Sequence, residues 1–225
     1  MSRNRTDFTL QASVSQALLD AGCVRFRSDE PFRLPSGWAS PVYIDCRRLI
    51  SYPALRRALV QQGLALLRDR DRLTGIDVIA GAESSGIAFA AWVAESLNLP
   101  MVYVRKEARG MGPAAQVVGD IRHGDRVLLV DDMMAAARSK AAFCEALAAA
   151  GATVQDILVL FDYGTFPTVD VLSRWNPRIH ALATWHDVLG ILSESGTVPE
   201  PELSELRAFL SDPSHWSSAH GGITG

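Results

Sequence analysis

Apolar positions along the chain change their rhythm near residue 76. Before that point, Val14, Ala17, Leu18 and Ala21 fall at helical spacing and Gly22 supplies a stop, which predicts a short amphipathic helix. The stretch VRFRSDEPFRLPSGWASPVYID (24–45) alternates and is broken by Pro-Ser-Gly, the pattern of a hairpin. Pro53 opens a helix to about Arg68, with Leu55, Leu59, Gly63 and Leu66 on one stripe.

After residue 76, short apolar runs take over: DVIAGA, PMVYVRKE, RVLLVDD, TVQDILVLFDY and RIHALATW. Helical stretches (ESSGIAFAAWVAESLNL, SKAAFCEALAAAG) and a charged, Gly-containing segment ending at Gly124 separate them. Strands that alternate with helices of this length predict an α/β fold, a parallel five-stranded sheet covered by helices on both faces. Such sheets bind ligands beyond the carboxyl ends of their strands. Three polar clusters fall there: Asp131-Asp132, Glu83-Ser84-Ser85-Gly86 and the segment opening at Arg105.

Composition narrows the classes without choosing among them. The chain has 225 residues, 48% apolar and 21% charged, with a net charge of -3. That suits one domain and gives no global pull toward nucleic acid or anionic membrane. An anionic ligand must therefore be held by local groups. Cys23, Cys46 and Cys144 are widely spaced and lack CxxC pairing, which argues against structural zinc or a disulfide framework and for reduced thiols in a cytoplasmic protein. No apolar run reaches the ~18 residues of a membrane span, and MSRNRTDFTL has no signal-peptide segment. The histidines at 180, 186, 215 and 220 show no metal-ligand spacing, and Trp92, Trp175 and Trp185 read as core or interface.

The chemistry concentrates in VLLVDDMMAAARSK (127–140). One helix cap needs one Asp; two suggest carboxylates on the ribose hydroxyls of a sugar phosphate, directly or through Mg²⁺. A helix start just beyond offers backbone N–H groups to the phosphate. Ser84 and Ser85, with Glu83 and Gly86 around them, suit a pyrophosphate cradle for the same reason.

This run resembles the ribose-phosphate motif of type I phosphoribosyltransferases. FRLPSGWASPVYID (32–45) resembles the hood segment of the orotate phosphoribosyltransferase family. GAESSGIAFAAWVAESLNLPMVYVRKE looks like its pyrophosphate loop, helix and catalytic-loop start, and ARGMGPAAQVVG sits where its mobile loop belongs. ATWHDVL and FLSDPSHWSSAHGG resemble the tails of bacterial members, so the likeness spans about 10–222. The resemblance implies a single phosphoribosyltransferase-like domain over 1–225, with a hood from about 24–48 plus part of the C-terminal region on a core of about 52–190. It implies transfer of phosphoribose from phosphoribosyl pyrophosphate (PRPP) to orotate in pyrimidine biosynthesis, Mg²⁺ as cofactor, and a homodimer that shares loops across its interface. By the same resemblance Arg105, Lys106, Arg109 and Asp132 are catalytic. Asp131, Asp132 and 135–139 (Ala135, Ala136, Ala137, Arg138, Ser139) hold the phosphoribosyl group, Asp131 and Asp132 hold metal directly or indirectly, and Ser36, Gly37, Tyr43 and Ile44 surround the base.

Departures from the family pattern are as specific as the matches. Members usually carry Thr and Gly after the acidic pair, whereas Met133 to Arg138 hold none. Ala where φ must be positive costs on the order of 1 kcal/mol, and Arg suits such a turn less. Each lost hydroxyl contact to phosphate removes roughly 1.5–3 kcal/mol, so two or three losses weaken PRPP binding about 10³-fold. Arg138 is a possible compensation, since a guanidinium takes phosphate bidentately. Arg109 stands at the usual loop Lys, Met111 at a frequent His and Val118 at an acidic position, while Gly110, Gly112 and Gly119 keep the loop mobile. An Arg that pairs with the orotate carboxylate in many members has Tyr163 in its approximate place. The stripped loop raises a second reading: a weak or inactive paralogue that binds a nucleotide or phosphate as a regulator.

Overall fold

Val127, Leu128, Leu129 and Val130 are all buried, because the strand that carries them is covered on both faces. The computed structural model describes residues 13–27, 30–34, 36–110, 113–166 and 168–223; Pro35, Met111, Gly112 and the first segment of the chain lie outside them. Strands β5 (Val78–Ala82), β6 (Met101–Val104), β8 (Arg126–Met134), β9 (Thr153–Asp162) and β10 (Arg178–Thr184) are the parallel strands that the apolar runs predict. The sheet has six strands, in the order β10-β9-β8-β5-β6-β7. The addition to the five expected is β7 (Val117–Val118), which pairs antiparallel with β6 through Tyr103↔Val118 and Val104↔Val117. Two residues are too few for an alternation to register in sequence.

Leu128 and Val130 point to one face, with Leu158, Leu55 and Leu59 of α2 (Pro53–Asp69) and Phe89 of α3 (Ser85–Leu97). Val127 and Leu129 point to the other, with Phe143 and Leu147 of α4 (Arg138–Ala149). The α2 stripe turns slightly from expectation: Leu67 is wholly buried and Leu66 only partly. Val14, Ala17 and Leu18 bury α1 (Val14–Asp20) against the first face, and Gly22 ends it at φ 65°.

The 24–45 hairpin is two nested antiparallel pairs. β1 (Val24–Phe26) runs against β4 (Val42–Ile44), and β2 (Phe32–Arg33) against β3 (Ala39–Ser40) between them. The chain's last segment holds the turn of the inner pair. After α6 (Trp185–Ser195) and α7 (Glu200–Ser211), α8 (Pro213–Ala219) brings Ser217 to β3. There Ser217 Oγ accepts the Ala39 N–H at 3.0 Å and donates to the Ile223 carbonyl at 2.8 Å, while the Ile223 N–H donates to the Gly37 carbonyl at 3.1 Å. A Cβ on Gly222 would stand 2.4 Å from the Ala39 nitrogen, so only glycine allows this approach.

The chain runs from β5 out to β6 and returns on β5's other side as β8. The connections thus diverge between β5 and β8, and a crevice opens at their carboxyl ends, where Glu83 and the Asp131-Asp132 pair stand. The opposite end carries a structural network. Buried Asp156 accepts from His180 Nε2 at 2.7 Å and from Arg178 at 2.9 and 3.0 Å, and Arg70 donates to His180 Nδ1 at 3.3 Å. That arrangement calls for a neutral imidazole with its proton on Nε2. Cys23, Cys46 and Cys144 are buried and unpaired, and burial pushes the Cys23 and Cys144 thiols up to about 12.

Burial alone would raise the Asp156 pKa, but the hydrogen bonds from Arg178 and His180, with the Arg178 charge, outweigh it and hold it below the ordinary carboxylate value. A lowered folded pKa means stability present at neutral pH and lost as pH falls through that value. Asp156→Asn should therefore cost about 1–3 kcal/mol at pH 7 and flatten the acid limb of stability in urea titrations between pH 7 and 3. An acid limb as steep as that of the parent would remove Asp156 from the account.

Candidate active site

Strand β8 does not stop at its acidic pair. It continues through Met133 and Met134, which leaves only 135–137 as the turn into α4. Ala137 sits in the left-handed region at φ 55°, ψ 4°, the conformation the turn requires. Its methyl is buried in the core on α4's side of the sheet, so packing holds a backbone that costs about 1–2 kcal/mol for a residue with a Cβ. Arg138 is the first residue of α4, where Arg is well tolerated, rather than part of the turn. No side chain caps this helix start among the described residues. The first-turn amides of α4 are thus left to bind an anion. The start of α3 is likewise uncapped by its Ser84, and the Glu83–Ser84 peptide before it is cis.

Both helix starts border one cavity of about 460 Å³. The wall takes in the sequence-predicted Ser36, Tyr43, Glu83, Ser84, Ser85, Lys106, Asp131, Asp132 and all of 135–139. Gly37, Ile44, Gly86, Arg105 and Arg109 stand outside that wall. Gly37 is taken up by the Ile223 contact. Gly86 lies under the crossing of α3 and β8: a Cβ there would sit 2.4 Å from the Val130 carbonyl and 2.9 Å from Asp131 Cα. Arg105 lays its guanidinium 5.8 Å from the Tyr103 ring centroid, and Arg109 is exposed on the loop. That loop is closed at its base: the Lys106 N–H donates to Glu83 Oε2 at 2.7 Å, and Gln116 Nε2 donates to the Arg105 and Lys106 carbonyls.

The acidic pair is not two equivalent carboxylates. Lys140, buried at 4% exposure, donates through Nζ to Asp131 Oδ2 and, at 2.6 Å, to the Met133 carbonyl. Asp131 Oδ1 accepts the Asp132 N–H at 2.8 Å. Each Asp131 oxygen thereby accepts one hydrogen bond. Burial, then the neighbouring Asp131 charge and hydrogen bond, push Asp132 up to about 7, against the opposing pull of Lys140 and the Ser85 hydroxyl. Asp132 also lines the cavity. No cluster of three or more His, Cys, Asp or Glu suited to a metal occurs among the described residues. A Mg²⁺ that arrives on substrate oxygens and keeps most of its water fits such a site; a protein-caged ion does not.

Lys140 escaped the sequence reading although its spacing marks it: with Phe143, Cys144 and Leu147 it completes the buried i, i+3, i+4, i+7 face of α4. Arg47, another cavity residue, gave no comparable signal; its Nε donates to Asp45 at 2.6 Å and its Nη2 to the Tyr43 hydroxyl at 3.3 Å.

The chain is similar to known proteins. The Phosphoribosyl transferase domain family matches residues 56–170. An orotate phosphoribosyltransferase of Sinorhizobium fredii is 44% identical over 97% of this chain and 95% of its own. The chain belongs to the orotate phosphoribosyltransferase family. A second such enzyme, from Cereibacter sphaeroides, is 45% identical over 91% of this chain and 89% of its own. The crystal structure of the orotate phosphoribosyltransferase from Aeropyrum pernix superposes with a TM-score of 0.68 at 33% identity, covering 83% of this chain and 99% of that one. The protein is a transferase on the type I phosphoribosyltransferase fold, its mostly parallel sheet flanked by helices.

Within that family fold, two residues at the crevice have effects on stability that separate from catalysis. Asp132 has a folded pKa of about 7, above that of an unfolded Asp. Between pH ~4 and ~7 the folded state keeps a proton that the unfolded state has released, so stability falls as pH rises through that window. Asp132→Asn should remove this slope and stabilise the free protein at pH 8, as read from chemical denaturation at pH 4.5, 6 and 8; a parallel slope in the variant would refute the assignment. Gly86→Ala should cost about 2–4 kcal/mol through overpacking against β8, and a thermal midpoint equal to the parent's would show that the crossing is not tight.

Proposed function

We propose that the chain transfers the 5-phosphoribosyl group of PRPP to orotate, giving orotidine 5′-monophosphate and pyrophosphate on the route to UMP. One observation carries the reading: two uncapped helix starts and Lys106 surround a single cavity beside Asp132 and the ion-paired Asp131. The bond from ribose C1 to the pyrophosphate oxygen breaks, a bond from C1 to a ring nitrogen forms, and that nitrogen's proton leaves.

Each part of the wall has a task in this reading. The first-turn amides of α4 hold the 5′-phosphate, with Arg138 and the Ser139 hydroxyl beside them. Asp132 accepts from the ribose hydroxyls. Ser84, Ser85 and the α3 amides take the pyrophosphate, whose charge grows as it leaves, and Lys106 neutralises it. Mg²⁺, carried in with PRPP, would be held beside Asp132 and would add charge neutralisation there. Arg105 and Arg109 contribute from the loop, in a homodimer whose subunits share loops across their interface and which works in the cytoplasm. The 24–48 segment, with the C-terminal strap, forms the hood over the base.

The second reading, binding without transfer, gains nothing from the fold. Loss of glycine did not open the turn, because Ala137 adopts the left-handed conformation anyway. What the loop lacks is hydroxyl donors. Orotate, PRPP and Mg²⁺ should therefore give orotidine monophosphate at ~1–10³ s⁻¹, with a high KM for PRPP. Ala135→Thr together with Ala137→Gly should lower that KM about tenfold, the equivalent of one restored contact. A parent protein with no turnover under saturating PRPP would overturn the proposed activity.

A further inference from the structure

β6 ends at Val104, and Arg105 and Lys106 follow it outside any regular element. Lys106 lines the cavity, while Arg105 beside it stands outside the wall. Alternation explains the difference. Arg105 falls on the Tyr103 side of the chain, where its guanidinium lies 5.8 Å from the ring centroid. Lys106 falls on the side of buried Val104, the next position inward if the chain stays extended.

The chain stays extended because its main-chain groups are bonded on both sides. On the β7 side, the Arg105 N–H donates to the Gln116 carbonyl at 2.9 Å. Gln116 Nε2 donates in turn to the Arg105 carbonyl at 2.8 Å and to the Lys106 carbonyl at 3.2 Å. On the β5 side, the Glu83 N–H donates to the Val104 carbonyl at 2.9 Å, and Glu83 Oε2 accepts the Lys106 N–H at 2.7 Å. Every main-chain donor and acceptor of Arg105 and Lys106 is thus engaged. Two side chains carry the ladders past the point where the strands stop.

Gln116 is the member of this clamp that the chemistry does not otherwise use. It is half-buried, ends the short 3-10 turn Pro113–Gln116, and stands outside the cavity wall. A primary amide suits the task, since its two N–H donors meet two carbonyls. Beyond Lys106 the order of the contacts gives out: Glu107 and Arg109 are exposed. A cation on a fixed main chain has less freedom to lose when it meets an anion.

We infer that Gln116 is a positioning residue for Lys106: by clamping both carbonyls at the mouth of the loop, it aims that ammonium at the leaving pyrophosphate. This rests on the transfer reading above and adds how the leaving group's counter-charge is held in place. Gln116→Leu removes the amide donors at nearly constant volume and leaves the main-chain carbonyl of residue 116 to the Arg105 N–H.

The test is a double-mutant cycle on Gln116→Leu and Lys106→Met. It is read by pyrophosphate calorimetry in the presence of Mg²⁺, by steady-state kinetics and by ligand-free melting. In Gln116→Leu the pyrophosphate Kd and the KM for PRPP should each rise ~5–10-fold. The KM for orotate should change less than ~2-fold, and the melting temperature should hold. In the Lys106→Met background the same substitution should add less than ~2-fold, because the group it positions is gone. Equal losses in both backgrounds would overturn the inference and leave the transfer reading intact. So would unchanged pyrophosphate constants, or a lower melting temperature with equal losses for both substrates. A parent without turnover would overturn the transfer reading, yet pyrophosphate binding weakened by Gln116→Leu only where Lys106 is present would still support the clamp. A parent that neither turns over nor binds pyrophosphate would overturn both.

Discussion

One buried ion pair organises the functional end of this protein. Asp131 and Asp132 lie near the end of β8, a strand with covered faces, where two adjacent carboxylates cannot both be charged without a cation. Lys140, from the first turn of α4, supplies it and also donates to the Met133 carbonyl. Losing one partner of such a pair typically costs ~3–5 kcal/mol, because the other is left charged and buried. The pair ties the end of β8 to the start of α4, and so fixes the three-residue turn between them. It also sets the two carboxylates apart: Asp131 is ion-paired to Lys140, whereas burial and its neighbour hold Asp132 above the ordinary carboxylate range.

The same constraint explains how the turn tolerates a sequence that lacks glycine. Ala137 is held at positive φ by a strand that ends under Lys140 and by its own methyl in the core. Local strain persists where the surroundings over-determine the backbone. The anion-binding geometry comes from main-chain amides at two helix starts, which do not depend on side-chain identity. Substitution can therefore strip hydroxyls from the loop and leave the backbone of the turn in place.

Much of the fold was legible along the chain, because periodicity and burial are local properties. The five parallel strands, the α2 stripe and the stop at Gly22 each followed from spacing, and the cavity opened at the strand ends that the topology required. The errors share a cause. β7 is two valines that become a strand only by pairing with β6. Arg138 reads as a turn residue until β8 is seen to run to Met134. Gly86 reads as a phosphate-loop glycine, whereas the crossing of α3 over β8 leaves no space for a side chain.

By itself, then, the order of residues determined the α/β class, the family likeness and the position of an acidic pair beside two helix starts. Only tertiary structure decided that a lysine nine residues on pairs with Asp131, and that residues as far apart in the chain as Ser36 and Tyr163 line one cavity. Charge pairing and hydrogen-bond satisfaction depend on distances between side chains from separate elements, and no period along a single strand or helix encodes them.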